Sequence, residues 1–170
     1  ESNGGPVNIF TGPPLDSKLD MYYVNKFMNK KGKKIICGGT TGNIVGKLIN
    51  EEIKIDLKNI SGDEIPPYGT MKSVDLVTEG VLTIKEINNI LSDCEKDIYE
   101  IDFDKKDNSA YQVIRMLRDC DEISILVGRK VNVFYHNPSL PFDMSIRANL
   151  IRELTNNLER LGKSVSIEYC

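Results

Sequence analysis

Lys34-Ile35-Ile36-Cys37-Gly38-Gly39-Thr40-Thr41-Gly42-Asn43-Ile44-Val45 decides how this chain reads. Its apolar start has the length and composition of a buried strand. Gly38–Asn43 reads as a glycine-hydroxyl turn, and Ile44, Val45, Leu48 and Ile49 then recur at helical spacing. Strand, tight turn and helix start, in that order, are how α/β proteins build an anion site. Backbone N–H groups converge there and the helix dipole favours negative charge. Neither G-x-G-x-x-G nor G-x-x-x-x-G-K-S/T is met, so no named nucleotide fingerprint is present. A turn that merely needs small residues to cross from strand to helix is the plainer alternative, and both stay open here.

Outward from this stretch, the pattern alternates strand and helix. Val7–Phe10 is a strand that ends in the turn Thr11-Gly12-Pro13-Pro14. Asp16 or Ser17 caps a helix running to about Asn29, with Leu19, Tyr22, Tyr23, Phe27 and Met28 on its inner side. Lys30, Lys31, Gly32, Lys33 and Lys34 end that helix, as a cationic patch for phosphate or as a solvated helix end. Ile53–Leu57 alternates as a half-exposed strand, and 58–72 reads as a loop around Pro66-Pro67, either a flap over a pocket or a connector.

Val74–Val77 is the next strand, and Thr78-Glu79-Gly80 turns into a helix from Leu82 to Leu91. Residues 95–106 read as a loop with a short strand through Ile98 and Ile101. Asn108-Ser109 caps a helix to Leu117, and Glu122–Val127 is a strand ending at Gly128. Leu140–Phe142 precedes the longest helix, Ser145–Leu161, whose Ile146, Leu150, Ile151, Leu154, Leu158 and Leu161 form a heptad-like stripe. Val165–Tyr169 closes the chain as a last strand.

This alternation predicts a single-domain three-layer α/β/α fold with a mainly parallel, Rossmann-like sheet over 7–170. Residues 1–6, Glu-Ser-Asn-Gly-Gly-Pro, read as a tag or linker, and Glu1 in place of an initiator methionine fits a piece of a longer chain. Four strands end in Thr/Gly turns: Phe10-Thr11-Gly12, Cys37-Gly38-Gly39-Thr40, Val77-Thr78-Glu79-Gly80 and Val127-Gly128-Arg129. In an open parallel sheet these turns share the carboxyl edge, where ligands bind.

The bulk composition narrows the function classes. A 28 % charged, 40 % hydrophobic chain is of ordinary globular make-up. Its net charge of −3 gives no global pull toward nucleic acid or a membrane surface, so neither is expected as a partner. No apolar run approaches the roughly 20 residues of a membrane span. Cys37, Cys94, Cys120 and Cys170 show no C-x-x-C pairing, which fits reduced thiols and a cytoplasmic location.

The candidate ligand site gathers Thr11, Gly12, Gly38, Gly39, Thr40, Thr41, Asn43, Thr78, Glu79, Gly80 and Arg129 around a small anionic molecule. The glycines let backbone approach an anion, the threonines supply hydroxyls, Arg129 pairs with phosphate or carboxylate, and Glu79 holds a ribose hydroxyl or a cation. Turn-forming roles remain the alternative for each, with Glu79 favouring a helix N-terminus. An oxygen-ligand metal site drawing on Asp75, Glu79, Asp121 and Glu122 is the less favoured reading, because Asp121 and Glu122 precede a strand, at its amino end. His136, the only histidine, sits before Asn137-Pro138 as a general acid/base or a loop-packing residue. Arg147 faces an anion or solvent, with solvent preferred.

Taken together, Gly12-Pro13-Pro14, Lys33–Val45, Pro66-Pro67, Val74–Thr83 (Val-Asp-Leu-Val-Thr-Glu-Gly-Val-Leu-Thr), His136-Asn137-Pro138 and Leu140-Pro141 resemble the C-terminal region of the stage II sporulation protein E family. That family comprises PPM-type serine/threonine phosphatases of Firmicutes, and the resemblance runs from Val7 to Tyr169. It implies an accessory domain following a manganese- or magnesium-dependent phosphatase domain, with no catalytic residue and no cofactor of its own. The phosphatase element Asp-Gly-Met/Leu-Gly-x-Gly is absent. Thr78-Glu79-Gly80-Val81 aligns with the family's Thr-Asp-Gly-Val, and Asp121-Glu122-Ile123-Ser124 with its Asp-Asp-x-Thr, each with one aspartate replaced by glutamate.

The leading expectation is therefore a ligand-sensing, regulatory domain attached to a phosphatase. One rival makes the chain part of the metal-dependent catalytic unit, with Glu79 and Asp121 as ligands. Another makes it a structural or homodimerisation module that uses the long final helix.

Overall fold

The computed structural model describes residues 5–55, 68–103, 108–130 and 143–170. The apolar run of the central stretch forms β2 (Lys33–Cys37), beside β1 (Val7–Thr11). Ile35, Ile36 and Cys37 are all buried, because helices cover both faces of a parallel sheet and leave no side of the strand in water. The sheet has seven strands in the order β3-β4-β5-β2-β1-β6-β7, completed by β3 (Lys54–Ile55), β4 (Gly69–Met71), β5 (Val74–Thr78), β6 (Glu122–Val127) and β7 (Ser164–Tyr169). β1 runs parallel to both β2 and β6, β2 to β5, and β6 to β7, whereas β3 and β4 add on antiparallel.

Side-chain alternation along the strands sends successive residues into two cores. Phe10, Ile36, Val77 and Leu126 pack with Val24 and Phe27 of α1 (Asp20–Met28) and Val45 of α2 (Gly39–Ile49). Ile9, Ile35, Leu76 and Ile125 face the other way. They pack with Ile84, Ile87 and Leu91 of α3 (Val81–Ser92), Val113, Ile114 and Leu117 of α4 (Ser109–Arg118) and Ile151, Leu154 and Leu158 of α5 (Asp143–Arg160). This is the expected three-layer α/β/α arrangement, with a mostly parallel sheet. No helix of the described residues is long and apolar enough to cross a membrane.

Local chemistry explains where elements differ from expectation. Gly38, at φ 139°, turns the chain so sharply that α2 begins at Gly39. Thr40, Thr41 and Asn43 therefore lie in its opening turns rather than in a loop. Asp16 does cap, accepting from the N–H of Lys18, but over a short 3-10 turn (Ser17–Leu19) that precedes α1. The buried residues of α1 are Val24 and Phe27, while Leu19 and Tyr22 are exposed, with the Lys26 ammonium over the Tyr22 ring.

The stretch through Ile98 and Ile101 is not a strand. The Asp97 carboxylate accepts from the Tyr99 N–H and Glu100 reaches back to the Asp97 N–H, a capping box that fixes a 3-10 turn at Ile98–Glu100. Part of the expected 58–72 loop is strand β4, which turns through Lys72 and Ser73 into β5, and Glu51 accepts from the Ser73 N–H. Asn108 caps α4 as expected, accepting from the Tyr111 N–H at 3.0 Å. Pro66-Pro67, His136, Asn137-Pro138, Leu140-Pro141 and residues 58–67 of the expected flap lie outside the described residues. The apolar stripe of α5 is used up inside the molecule: Ile151, Leu154 and Leu158 are core, leaving Ile146 exposed. It is not a face held in reserve for a dimer.

Strand ends are packed too closely for side chains at some glycines. A Cβ on Gly128 would stand 2.0 Å from the Gly12 carbonyl oxygen, whereas one on Gly39 would meet nothing within 4 Å. Gly128→Ala is expected to cost about 3 kcal/mol by forcing β1 and β6 apart. Gly39→Ala is expected to be neutral or to stabilise by up to about 1 kcal/mol. Urea unfolding of both variants beside the wild type checks the contrast.

Candidate functional site

The parallel strands all end at one edge, and the chain leaves neighbouring strands toward opposite faces: α2 after β2 toward one core, α3 after β5 toward the other. Such divergence opens a crevice at the carboxyl edge. Here it is a cavity of about 450 Å³, lined by Thr11–Pro13, Cys37–Thr41 and Glu79–Val81, with Ile44, Ile84, Lys130, Arg147 and Leu150. That volume lies within the roughly 300–1,000 Å³ common for small-molecule sites. A second hollow of about 490 Å³ lies beside the β3–β4 edge, lined by Asn50–Glu52, Lys54 and Thr70–Lys72. It brings together no comparable set of helix starts and strand ends.

Backbone hydrogen bonds stitch the strand ends into this shape. The N–H of Gly38 donates to the Thr78 carbonyl at 2.7 Å, and that of Gly128 to the Thr11 carbonyl at 2.8 Å. Both α2 and α3 begin with a glycine at the N-cap, Gly38 and Gly80, whose own side chains can supply no cap. A Cβ on Gly80 would lie 3.4 Å from the Gly38 Cα, so the two helix starts adjoin. Their partial positive charges therefore add at one place.

The structure brings together Thr11, Gly12, Gly38, Gly39, Thr40, Thr41, Glu79 and Gly80 from the sequence-derived set. Glu79 also accepts from the Leu82 N–H at 2.9 Å, so its carboxylate caps α3 while lining the cavity. Three others stand apart. Thr78 is buried and donates its hydroxyl to the Glu79 carbonyl at 2.8 Å. Asn43 points outward from α2 and is exposed. Arg129 is exposed, its Nε donating to the Cys170 carbonyl at 3.3 Å.

Positive charge is brought instead by Lys130 and by Arg147, which sequence reasoning placed in solvent. Arg147 donates from Nη1 to the carbonyls of Gly128 at 2.6 Å and Lys130 at 2.9 Å. Gly12 makes room for it, since a Cβ there would stand 2.6 Å from the same nitrogen. The available signal was positional. A residue in the first turns of the helix after β6 must lie near the carboxyl edge.

The metal alternative is not assembled. Glu79 follows the carboxyl end of β5, whereas Asp121 precedes the amino end of β6, where its carbonyl accepts from the Ser164 N–H. Among the described residues no three His, Cys, Asp or Glu side chains are grouped to hold a metal. Lys30–Lys34 likewise lie at the amino edge, away from the cavity, with Lys30 Nζ 3.3 Å from the Ser124 hydroxyl.

Cys37 closes the cavity floor at the end of β2. Burial pushes its thiol up to about 11 from 9.0, against the opposing effect of the Thr78 hydroxyl, and burial does the same to Cys170. All four cysteines are free and buried.

No family model matches the chain, and no solved structure matches it. A curated tRNA (guanine-N(1)-)-methyltransferase from Buchnera aphidicola subsp. Baizongia pistaciae is 32 % identical over 84 residues. The match covers 47 % of this chain and 34 % of that protein, so it spans about a third of the relative's length. This likeness to a nucleic-acid enzyme overturns the sporulation-phosphatase reading, and with it the attached phosphatase domain and the exclusion of nucleic acid. The physical reason is visible in the fold. The Gly-Gly-Thr-Thr and Asp-Leu-Val-Thr-Glu-Gly blocks form strand ends and helix starts, where many α/β proteins need small and hydroxyl residues. They report architecture rather than ancestry. A net charge of −3, in turn, is a sum over the whole chain and does not describe any one surface.

Raised thiols stabilise the folded state below pH 9, where both states are protonated at these groups. Above it the unfolded chain loses protons that the folded chain keeps, so stability falls from pH 9 to about 11. Each such thiol is expected to contribute about 1.4 kcal/mol of loss per pH unit in that window. Urea midpoints at pH 8 and pH 10.5, for wild type and Cys37→Ala, check this. The variant should show the shallower fall.

Proposed function

We propose that this chain is the α/β ligand-binding part of an RNA-modifying protein acting in the cytoplasm, and that its carboxyl-edge cavity takes a small anionic molecule. The observation that carries the RNA part is the 84-residue likeness to a tRNA (guanine-N(1)-)-methyltransferase. Methyl transfer to a guanine of tRNA is the activity that relative's name describes, and the proposal brings that substrate class, tRNA, to this chain.

The cavity is suited to the small-molecule side of such chemistry. Two adjoining helix starts, together with Lys130 and Arg147, favour negative charge. Glu79 offers a carboxylate to sugar hydroxyls, and Ile44, Val81, Ile84 and Leu150 supply apolar wall for a flat ring.

Fluorescence anisotropy with an unmodified tRNA transcript tests the first half. Binding that weakens steeply between about 50 and 200 mM salt is expected. No binding at low salt would overturn it.

Gly39→Asp tests the second half. Because a side chain at Gly39 meets nothing within 4 Å, and a carboxylate suits a helix's first turn, the variant should fold at least as stably as wild type. Screened by thermal shift against nucleosides and nucleotides, wild type should gain about 3 kcal/mol from a ligand at 100 times its Kd. The variant should lose the gain from anionic ligands. An unchanged response in the variant would remove the cavity from the account.

A further inference from the structure

Thr41 sits at the beginning of α2, is 2 % exposed, lines the cavity, and its hydroxyl has no hydrogen-bond partner. That is unusual for a buried threonine. Inside a helix the hydroxyl returns to the carbonyl four residues back, as Thr155 does to Ile151 at 2.8 Å, but Thr41 is in the first turn, where that carbonyl belongs to Cys37 of β2. The buried hydroxyls of Thr78 and Thr83 also have partners, the Glu79 carbonyl and the Ser109 hydroxyl. A buried polar atom without a partner costs free energy and persists where something else uses it.

The surroundings say what would use it. Gly38 leaves the helix start without a side-chain cap, and a Cβ there would crowd the Thr41 Oγ1 at 3.1 Å, so glycine keeps that side of the buried hydroxyl clear. The start of α3 adjoins the same point through Gly80. The uncapped first-turn N–H groups of α2 and one hydroxyl suit a tetrahedral, multiply charged oxyanion with several acceptor oxygens. Glu79 on the same cavity would repel a second anion but accept from a sugar diol.

We propose that the start of α2 with the Thr41 hydroxyl is a phosphate subsite, and that the cavity takes a nucleoside 5′-phosphate with its sugar toward Glu79. This rests on the cavity reading above and adds its ligand class. The first-turn N–H groups of α2 and the Thr41 O–H donate to the phosphate oxygens, and the apolar wall at Ile44, Ile84 and Leu150 takes the base.

Calorimetric titration with a nucleoside, its 5′-monophosphate and inorganic phosphate tests the assignment, with tRNA anisotropy run in parallel. Wild type should bind the monophosphate at least about tenfold more tightly than the nucleoside. Thr41→Val, which replaces an unpartnered hydroxyl by a methyl group, should melt at or above the wild-type temperature and lose about tenfold toward the monophosphate alone. Thr41→Ser should keep the preference.

Equal affinity for nucleoside and monophosphate, or a preference that survives in Thr41→Val, would overturn the subsite. If tRNA binds but no nucleotide does, the subsite fails while the RNA reading stands. If the monophosphate binds with the expected preference and tRNA does not, the subsite stands and the RNA reading fails.

Discussion

The hydrogen bond from the Gly38 N–H to the Thr78 carbonyl, 2.7 Å long, is the constraint on which the carboxyl edge depends. It extends the β2–β5 pairing by one residue beyond Cys37 and holds the two chains together at the point where they part to opposite faces. Gly38 can make that bond and still turn into α2 only at φ 139°, in a region closed to most side chains. Gly80 lies close to Gly38, so that a Cβ added to Gly80 would stand 3.4 Å from the Gly38 Cα. Two helices of opposite layers consequently start side by side at one cavity, α3 capped by Glu79 and α2 by no side chain. Buried strands on either side keep this geometry rigid, since Ile35, Ile36, Leu76 and Val77 each anchor one of the two cores.

Much of this was legible in the chain itself. Apolar runs without polar alternation at Ile35–Cys37 and Ile125–Val127 announce strands covered on both faces, and glycine with threonine at their ends announces the turns. Positions with a strong local cause came out where expected: Asn108 caps its helix, and Gly38 breaks the strand. What was not legible depended on tertiary contact. Arg147 enters the cavity because Gly12, distant in sequence, leaves room for its guanidinium. Asn43 and Arg129 share the carboxyl edge with the cavity but point away from it, a difference that side-chain direction decides and residue type does not. The Ile98 stretch illustrates another limit. Its mixed, charged pattern leaves a short strand open, yet Asp97 and Glu100 satisfy the local N–H groups from their own side chains and fold it into a 3-10 turn.

Function was legible only in outline. Glycine-threonine turns mark where a ligand can approach an α/β sheet, and they recur wherever that architecture does. Identity drawn from them leaned on features that the fold requires in any case. The likeness to a tRNA methyltransferase covers less than half of the chain and directs attention to RNA, whereas the chemistry of the cavity is set by its own groups. Those groups are unusual in one respect. A buried threonine hydroxyl is left without a partner at a helix start that no side chain caps.

Amide chemical shifts under titration with a nucleoside 5′-monophosphate test the central claim most directly, because they report on each backbone N–H separately. Saturating, concentration-dependent shifts should concentrate at Gly39, Thr40, Thr41 and Gly80, with the amides around Lys30–Lys34 at the opposite edge unmoved. Shifts confined to that lysine-rich edge, or none at the start of α2, would contradict the claim that the carboxyl-edge cavity is the binding site.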